Sequence, residues 1–469
     1  MVQIPILSGI YCDTDPALRT SMPVNRVPVP KDSGVSQGYL RPGDGVVQWA
    51  TITGACRGTI VWNGVLYAVN GSKLCSVSSA GVETIIGDVG TDGLPVSLDY
   101  GFDDLAIASN GDLFVYNPTD GLRQNTDTDL GLVNDVLWVD GYFMTTDGEF
   151  LVVTDLGNPL SVNPLKYGSS EADPDPITAI LKLRNEVAAL NRNTIEFFDN
   201  IGGDLFPFAR IEGAQIEKGC IGKDACCVYM EAIAFVGSGF NEQVAVYIGN
   251  NGNALKISTH EVDTLLERYT ETELAASILE TRNEGSHNFL YLHMPDRTLV
   301  YDAGASATLQ QPVWFTLVST LDGFAQYRAR HFVYAYNQWL CADPQASRLG
   351  YLTRTISTHW GAKVRWEFGT LIFYNDGAGA IVNRLELFGL TGSVPLGVEP
   401  VISSSYSVDG LAWSSDRTIS AGTHGQSAKR LVWMRQGHMR DRRIQRFQGT
   451  SDAHVSIARL EAALEPLAW

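Results

Sequence analysis

Thr59-Ile60-Val61-Trp62-Asn63-Gly64-Val65-Leu66-Tyr67-Ala68-Val69 is the stretch on which the fold turns. Two β-branched and aromatic runs flank an Asn-Gly pair. That dipeptide accepts the positive φ angles of a two-residue turn whose twist matches the strands it joins. The arrangement recurs with Leu105-Ala106-Ile107-Ala108 and Leu113-Phe114-Val115-Tyr116 around Asn110-Gly111. It returns with Val136-Leu137-Trp138-Val139 and Tyr142-Phe143-Met144 around Asp140-Gly141, and Phe150-Leu151-Val152-Val153 follows Asp147-Gly148.

Further hairpins pair Ile177–Leu183 with Val187–Leu190, Ala232–Val236 with Val244–Ile248, Phe289–His293 with Thr298–Tyr301, and His331–Tyr336 with Gln338–Cys341. Sheet units about 40 residues apart are the spacing of four-stranded propeller blades. The count predicts six or seven blades; with no strict blade signature, a tandem of sandwiches fits the same rhythm. Ser258-x-x-Glu261 and Thr270-x-x-Glu273 have the form of capping boxes and predict helices over 261–268 and 271–280, burying Leu265, Leu266, Leu274 and Ile278. After residue 354 the texture changes. Val364–Phe368, Leu371–Tyr374, Ile381–Phe388, Arg430–Met434 and Val455–Leu460 predict a compact β-sandwich, with an Asp409-Gly410 tip before Trp413. The fold class is therefore all-β: an extended arm over 1–50, a propeller-like body over 51–354 with a helical insertion at about 260–281, and a C-terminal sandwich over 355–469.

Composition narrows the function. The 469 residues include 46 Gly and only 18% charged side chains, as a turn-rich β protein requires. No apolar run approaches the roughly 20 residues of a membrane helix, and Met1-Val2-Gln3-Ile4-Pro5 lacks the basic and apolar regions of a secretory signal. The expectation is a protein with no membrane partner, assembled in a cytoplasm. The net charge of −18 is uneven: fifteen Asp or Glu lie between Ser97 and Asp175 against Arg123 and Lys166. Lys429, Arg430, Arg435, Arg440, Arg442, Arg443, Arg446 and Arg459 reverse the balance near the end. An acidic chain is a poor general binder of phosphates, so the basic segment reads as a protein interface, where arginine is enriched.

Enzymatic chemistry finds no support. Cys220, Cys226 and Cys227 lack a C-x-x-C pair and read as buried free thiols. Asp409-Gly410 fails the spacing of a sialidase Asp-box. Asn125-x-Asp127-x-Asp129-x-Gly131 misplaces the glycine of a calcium loop and has Val136 where the bidentate Glu belongs. The acidic pairs Asp103-Asp104 and Asp173/Asp175 have no acid–nucleophile spacing. No phosphate loop, dinucleotide fingerprint, nucleophile elbow or zinc helix occurs. No cofactor and no catalytic residue is assigned.

Pro23-Val24-Asn25 and Gly38-Tyr39-Leu40-Arg41-Pro42-Gly43 punctuate the first fifty residues with turns. Those two motifs, together with Thr194-Ile195-Glu196-Phe197-Phe198, resemble the packaged-DNA stabilisation family of short-tailed phages. So do Tyr269-Thr270-x-x-Glu273-Leu274-Ala275, Leu290–Pro295, Leu299-Val300-Tyr301-Asp302-Ala303 and Lys429-Arg430-Leu431-x-Trp433-x-Arg435-x-Gly437. The resemblance spans most of the chain and is sparse between about 45 and 175. It implies a non-enzymatic virion protein: a six-fold tail hub below the portal and its adaptor ring, closing the DNA exit and carrying tail needle and tailspikes. Channel DNA would pass nearby without sequence-specific binding, past the acidic 97–175 surface. A head-to-tail ring needs two different patches per subunit. The expected ones are Pro23, Asn25, Tyr39 and Arg41 on the arm, and Arg430, Trp433, Arg435, Arg440, Arg442, Arg443 and Arg446 on the sandwich. Removing residues 1–43 is then expected to spare the propeller and prevent assembly. The competing reading is a carbohydrate-binding or carbohydrate-cleaving phage-tail propeller; a third is an unrelated propeller scaffold.

Overall fold

The hairpins at Asn63-Gly64, Asn110-Gly111 and Asp140-Gly141 all form in the computed structural model, with both turn residues at positive φ. The structure describes residues 2–6, 22–31, 38–171, 173–250, 252–375 and 378–467. Among them, seven four-stranded antiparallel sheets make a propeller. Blades 1 to 6 are consecutive meanders over 56–88, 97–124, 135–169, 177–210, 226–256 and 278–317. Blade 7 is composite. Arg330–Ala335, Gln338–Ala342 and Arg348–Thr353 are completed by Gly45–Thr51, which runs antiparallel to Arg348–Thr353. A strand from the start of the chain thus closes the ring as the outer strand of its last blade.

The first strand of each blade faces the axis, and apolar clusters fill the wedges between blades, as where Leu137, Val153, Ile180 and Phe198 pack blade 3 on blade 4. Within each meander, the turns after the first and third strands lie on one face of the disc. The second turn and the crossover to the next blade lie on the opposite face, which we call the crossover face.

The sandwich is built from both ends of the chain. In one sheet the order is Arg26–Pro30, Gly38–Pro42, Ser456–Pro466, Ala380–Leu390, Leu431–Met434, with Val2–Ile4 added to Ser456–Pro466. The second sheet pairs Arg365–Gly369, Arg442–Thr450, Val401–Ser407 and Arg417–Ser420. Trp366, Phe368, Leu385, Trp433 and Phe447 fill the space between them. The expected arm over 1–50 is consequently not one free segment: three of its strands belong to the sandwich and the fourth to blade 7. The physical reason is that each strand has unpaired backbone groups and an apolar side, which extended chain in water leaves unsatisfied. The arm residues 7–21 and 32–37 lie outside the described residues.

The helical insertion also needs correcting. Thr270 does cap a helix with Glu273 in a reciprocal box, but that helix, Glu271–Ala275, ends five residues early. Ile278–Glu284 is the axial strand of blade 6 instead. The Leu274–Ile278 spacing suited a helix, and sheet closure overrode it. The preceding helix, His260–Leu266, is capped at Thr259 with no side-chain cap bond, and Ser258 donates to Asp263 at 2.6 Å rather than capping. A third helix, Ala303–Leu309, follows Asp302, whose carboxylate accepts from the Ala305 amide.

Candidate interaction surfaces

Pro23-Val24-Asn25 sits between the two domains. Val24 exchanges backbone hydrogen bonds with Glu367 of the sandwich at 2.7 and 3.0 Å. The Thr316 amide of blade 6 donates to Pro23 and the Asn25 amide to Thr316, both at 2.8 Å. Asn25 adopts φ 51°, a left-handed conformation asparagine tolerates. Its side chain donates to the carbonyls of Val318 and Arg365 and accepts from the Val318 amide at 3.1 Å. Pro23 and Asn25 are buried and form an internal joint, so as they stand they offer nothing to a second molecule.

Arg41 is buried too, in an ion network below that joint. Asp44 receives Arg41 at 2.5 Å and Arg282 of blade 6, while Glu284 receives Arg282 and Arg354 at 2.9 Å each. Burial alone would raise the Asp44 carboxyl; the guanidinium groups of Arg282 and Arg41 override it and hold it well below the usual carboxylate range. Tyr39 is half-buried.

The sandwich arginines divide by strand alternation. Arg443 is buried with its guanidinium 3.9 Å from the Tyr406 ring centre, donating to Gln445 and to the Gln436 carbonyl. Trp433 is buried and donates to the Arg417 carbonyl at 2.8 Å. Arg430 is exposed but makes a two-pronged pair with Glu386 at 2.8 Å. Arg446 lies over the Trp413 ring. Arg435 and Arg440 remain exposed, with half-buried Arg442 beside them and Arg417 close by, its guanidinium on the Arg435 carbonyl. Tyr374 and Met434 are exposed among these arginines, a feature sequence periodicity passed over because neither sits in a long strand.

The axial carboxylates are the strongest candidates for chemistry, and they are already engaged. Asp99 accepts from the Trp138 amide at 2.6 Å, Asp135 from Ile180 at 2.9 Å and Glu280 from His331 at 2.7 Å. Each is an acid on one blade's inner strand clasping a backbone N–H of the next. They border a cavity of about 460 Å³ that Lys182, Lys223 and Asp224 also line. The supposed calcium loop is wired in the same fashion: Asn125 accepts from Asp127, and Asp127 from Asp129 and from Val162 of blade 3.

Buried titratable groups make stability depend on pH. Burial lowers His359 from 6.5 to about 4. Burial would raise Glu280, but the His293 imidazole 3.5 Å away, the His331 imidazole and the donating His331 amide bring it to about 2. Both groups bind protons less readily folded than unfolded. Their contribution is full above pH ~6.5 and is lost through His359 as pH falls toward 4, then through Glu280 from ~4.3 toward 2. Asp224, pushed up by burial to about 6, acts in the opposite sense between ~4 and 6. Replacing His359 with Gln is therefore expected to flatten the fall in Tm between pH ~6.5 and 4. An unchanged slope in thermal unfolding would contradict this.

Residues 2–357 match a family model described as Bacteriophage P22 Gp10, beta-propeller, and residues 365–465 match its companion, Bacteriophage P22 Gp10, beta-sandwich. The chain is 28% identical over 461 residues to the tail hub protein gp10 of Salmonella phage P22, covering 93% of this chain and 94% of that one. Among solved structures it is similar to the Pan2 WD40 domain of Neurospora crassa (10% identity, 66% of this chain and 94% of that one, TM-score 0.42). It is also similar to the computationally designed Ika8 protein (12% identity, 66% and 100%, TM-score 0.39). Likenesses at that level carry no functional reading.

Proposed function

Because the chain belongs to the Bacteriophage P22 Gp10 family through both its propeller and its sandwich, we propose that it is a phage tail hub: a structural virion protein, not an enzyme. The observation that carries the reading is similarity to one tail hub protein over nearly the whole of both chains, with the joint and closing strand inside the family's propeller match over 2–357. In this reading six copies form a ring below the portal and its adaptor, retain the packaged genome, and give the tail needle and tailspikes their seat. The internal wiring of the axial carboxylates supports a structural role, since acids committed to backbone N–H groups are poor general acids or bases.

Charge supports a conduit-side placement for the crossover face. Asp127, Asp129, Asp147, Glu149, Glu171, Asp173 and Asp175 all lie in its turns and crossovers between residues 125 and 176. Such a surface repels the phosphates of passing DNA instead of retaining them.

The native mass of the protein, alone and mixed with its phage's portal–adaptor complex, tests the reading. Six copies joining that complex are expected. A folded protein that does not join it would overturn the hub assignment and return weight to carbohydrate binding, for which a glycan screen is the next measurement.

A further inference from the structure

The face opposite the crossover face has a different character on blades 2, 3 and 4. Phe102 is 86% exposed, with its ring against Trp138 at 5.4 Å; Leu156 is 64% exposed and packs on Gly141. Ile201 and Leu205, in the third turn of blade 4, are exposed as well, and that turn is tied to blade 3 by Asn200 donating to Asp140 at 3.1 Å. The four apolar side chains therefore occupy one surface running across three blades, with Asp103, Asp140 and Asp204 among them. Scattered exposed leucines need no explanation, but an aromatic and three aliphatics on contiguous turns framed by acids are the composition of a protein interface.

The chain has the complement of that surface. The sandwich carries twelve Lys or Arg against ten Asp or Glu over 355–469, so residues 1–354 hold a net −20. Its free edge presents Arg435 and Arg440 together with exposed Tyr374 and Met434, residue types concentrated at interface cores. The two patches cannot meet within one molecule. The sandwich is joined to the propeller at Thr316 and Val46, on blades 6 and 7, and at Val318 just after blade 6, whereas the acidic–apolar surface lies on blades 2 to 4, across the seven-bladed disc. Complementary patches on opposite sides of one subunit are the geometry of a head-to-tail contact between copies.

We infer that the acidic–apolar surface of blades 2 to 4 receives the arginine–tyrosine edge of the sandwich of a second copy of this chain. The inference rests on the tail-hub reading for the setting in which copies meet, and it assigns the two faces of each ring contact. It replaces the arm patch of Pro23, Asn25 and Arg41, which is consumed inside the subunit.

Charge reversal tests it in the full chain. Asp103→Arg with Asp204→Arg alters one face, and Arg435→Glu with Arg440→Glu the other; all four side chains are exposed, and none makes a hydrogen bond or ion pair to the described residues. Each double variant is expected to reduce copies incorporated per virion by about tenfold or more, because like charges then oppose across the contact. All four substitutions in one chain are expected to restore incorporation, since every contact then pairs the swapped faces. An unchanged Tm separates lost assembly from lost folding. The same four proteins are compared by sedimentation of concentrated purified chain at low and high ionic strength. Undiminished incorporation and association in both double variants, or no restoration in the quadruple variant, would overturn the inference. A wild-type chain absent from virions would instead sink the tail-hub reading, leaving sedimentation to decide the contact.

Discussion

Asp44→Ala is expected to destabilise the chain by about 3–5 kcal/mol, the scale for removing one partner from a buried ion network. Among the described residues Asp44 and Glu284 are the two acids placed on both Arg41 and Arg282, and Arg282 is 1% exposed. Alanine would leave a guanidinium with its remaining carboxylate shared and its N–H groups facing a dry interior, where the desolvation penalty is no longer offset. The loss should exceed that of any surface pair, such as Lys73 with Asp88, which solvent screens. Chemical denaturation followed by tryptophan fluorescence measures it. The network joins the segment before the closing strand, the axial strand of blade 6 and the linker at Arg354, so the propeller transition should move most. Asp44→Leu with Arg282→Met should recover much of the stability, because the cost lies in the stranded charge. A loss under about 1 kcal/mol for Asp44→Ala would mean that water reaches the network.

What the sequence disclosed follows from how far apart interacting residues lie. The Asn-Gly and Asp-Gly hairpins were legible because turn and strands fall within a dozen residues and only a few residue types accept those φ angles. Blades 4 and 5 were harder: their outer strands, Phe208–Arg210 and Asn253–Lys256, are short, and the latter is largely exposed, so neither carries an alternating pattern. Blade 7 showed only its inner hairpin, His331–Tyr336 with Gln338–Cys341, which left the count at six or seven, because its outer strand comes from residues some 300 positions earlier. The same distance hid the joint. Pro23-Val24-Asn25 reads as a turn in an extended arm, and nothing local says that its backbone will pair with Thr316 and Glu367.

The arginine-rich segment shows the other limit. Alternation divides Arg442 from Arg443 correctly, yet it does not say which side is the core. Arg443 goes inside because Tyr406 and Gln445 receive it there, while Arg435 and Arg440 lie at strand ends where the alternation lapses. The acidic surface was visible only as a charge count. Its division into a crossover face of turns and a second face with exposed Phe102 and Ile201 appears once the blades are ordered. Residue type announced an interface, and topology decided which residues remain free to make one.

The closing strand gives the second large effect. Deleting residues 1–51 is expected to open the propeller, whereas deleting 1–43 is expected to leave it closed with the sandwich damaged. Gly45–Thr51 supplies the outer strand of blade 7, and with it the pairing that Arg348–Thr353 otherwise lacks. Its removal strips a ladder of backbone hydrogen bonds and uncovers Leu349, which the strand helps to bury with Ala50. An open propeller presents a raw edge, so aggregation should accompany the loss. The shorter deletion keeps this strand but removes Val2–Ile4, Arg26–Pro30 and Gly38–Pro42 from the sandwich, exposing Leu460 and Ile457 where those strands lay. It also removes the joint at Asn25 and the Arg41 contacts. The expectation that removing residues 1–43 spares the propeller and prevents assembly thereby acquires a different cause: assembly should fail because the sandwich that makes the contact is incomplete. Limited proteolysis with mass spectrometry distinguishes the cases. Cleavage confined to 355–469 is expected for the shorter deletion, and cleavage throughout the chain for the longer. Equal resistance of the two truncated propellers would refute closure by the N-terminal strand, and an intact, protease-resistant sandwich without residues 1–43 would return the arm to a purely intermolecular role.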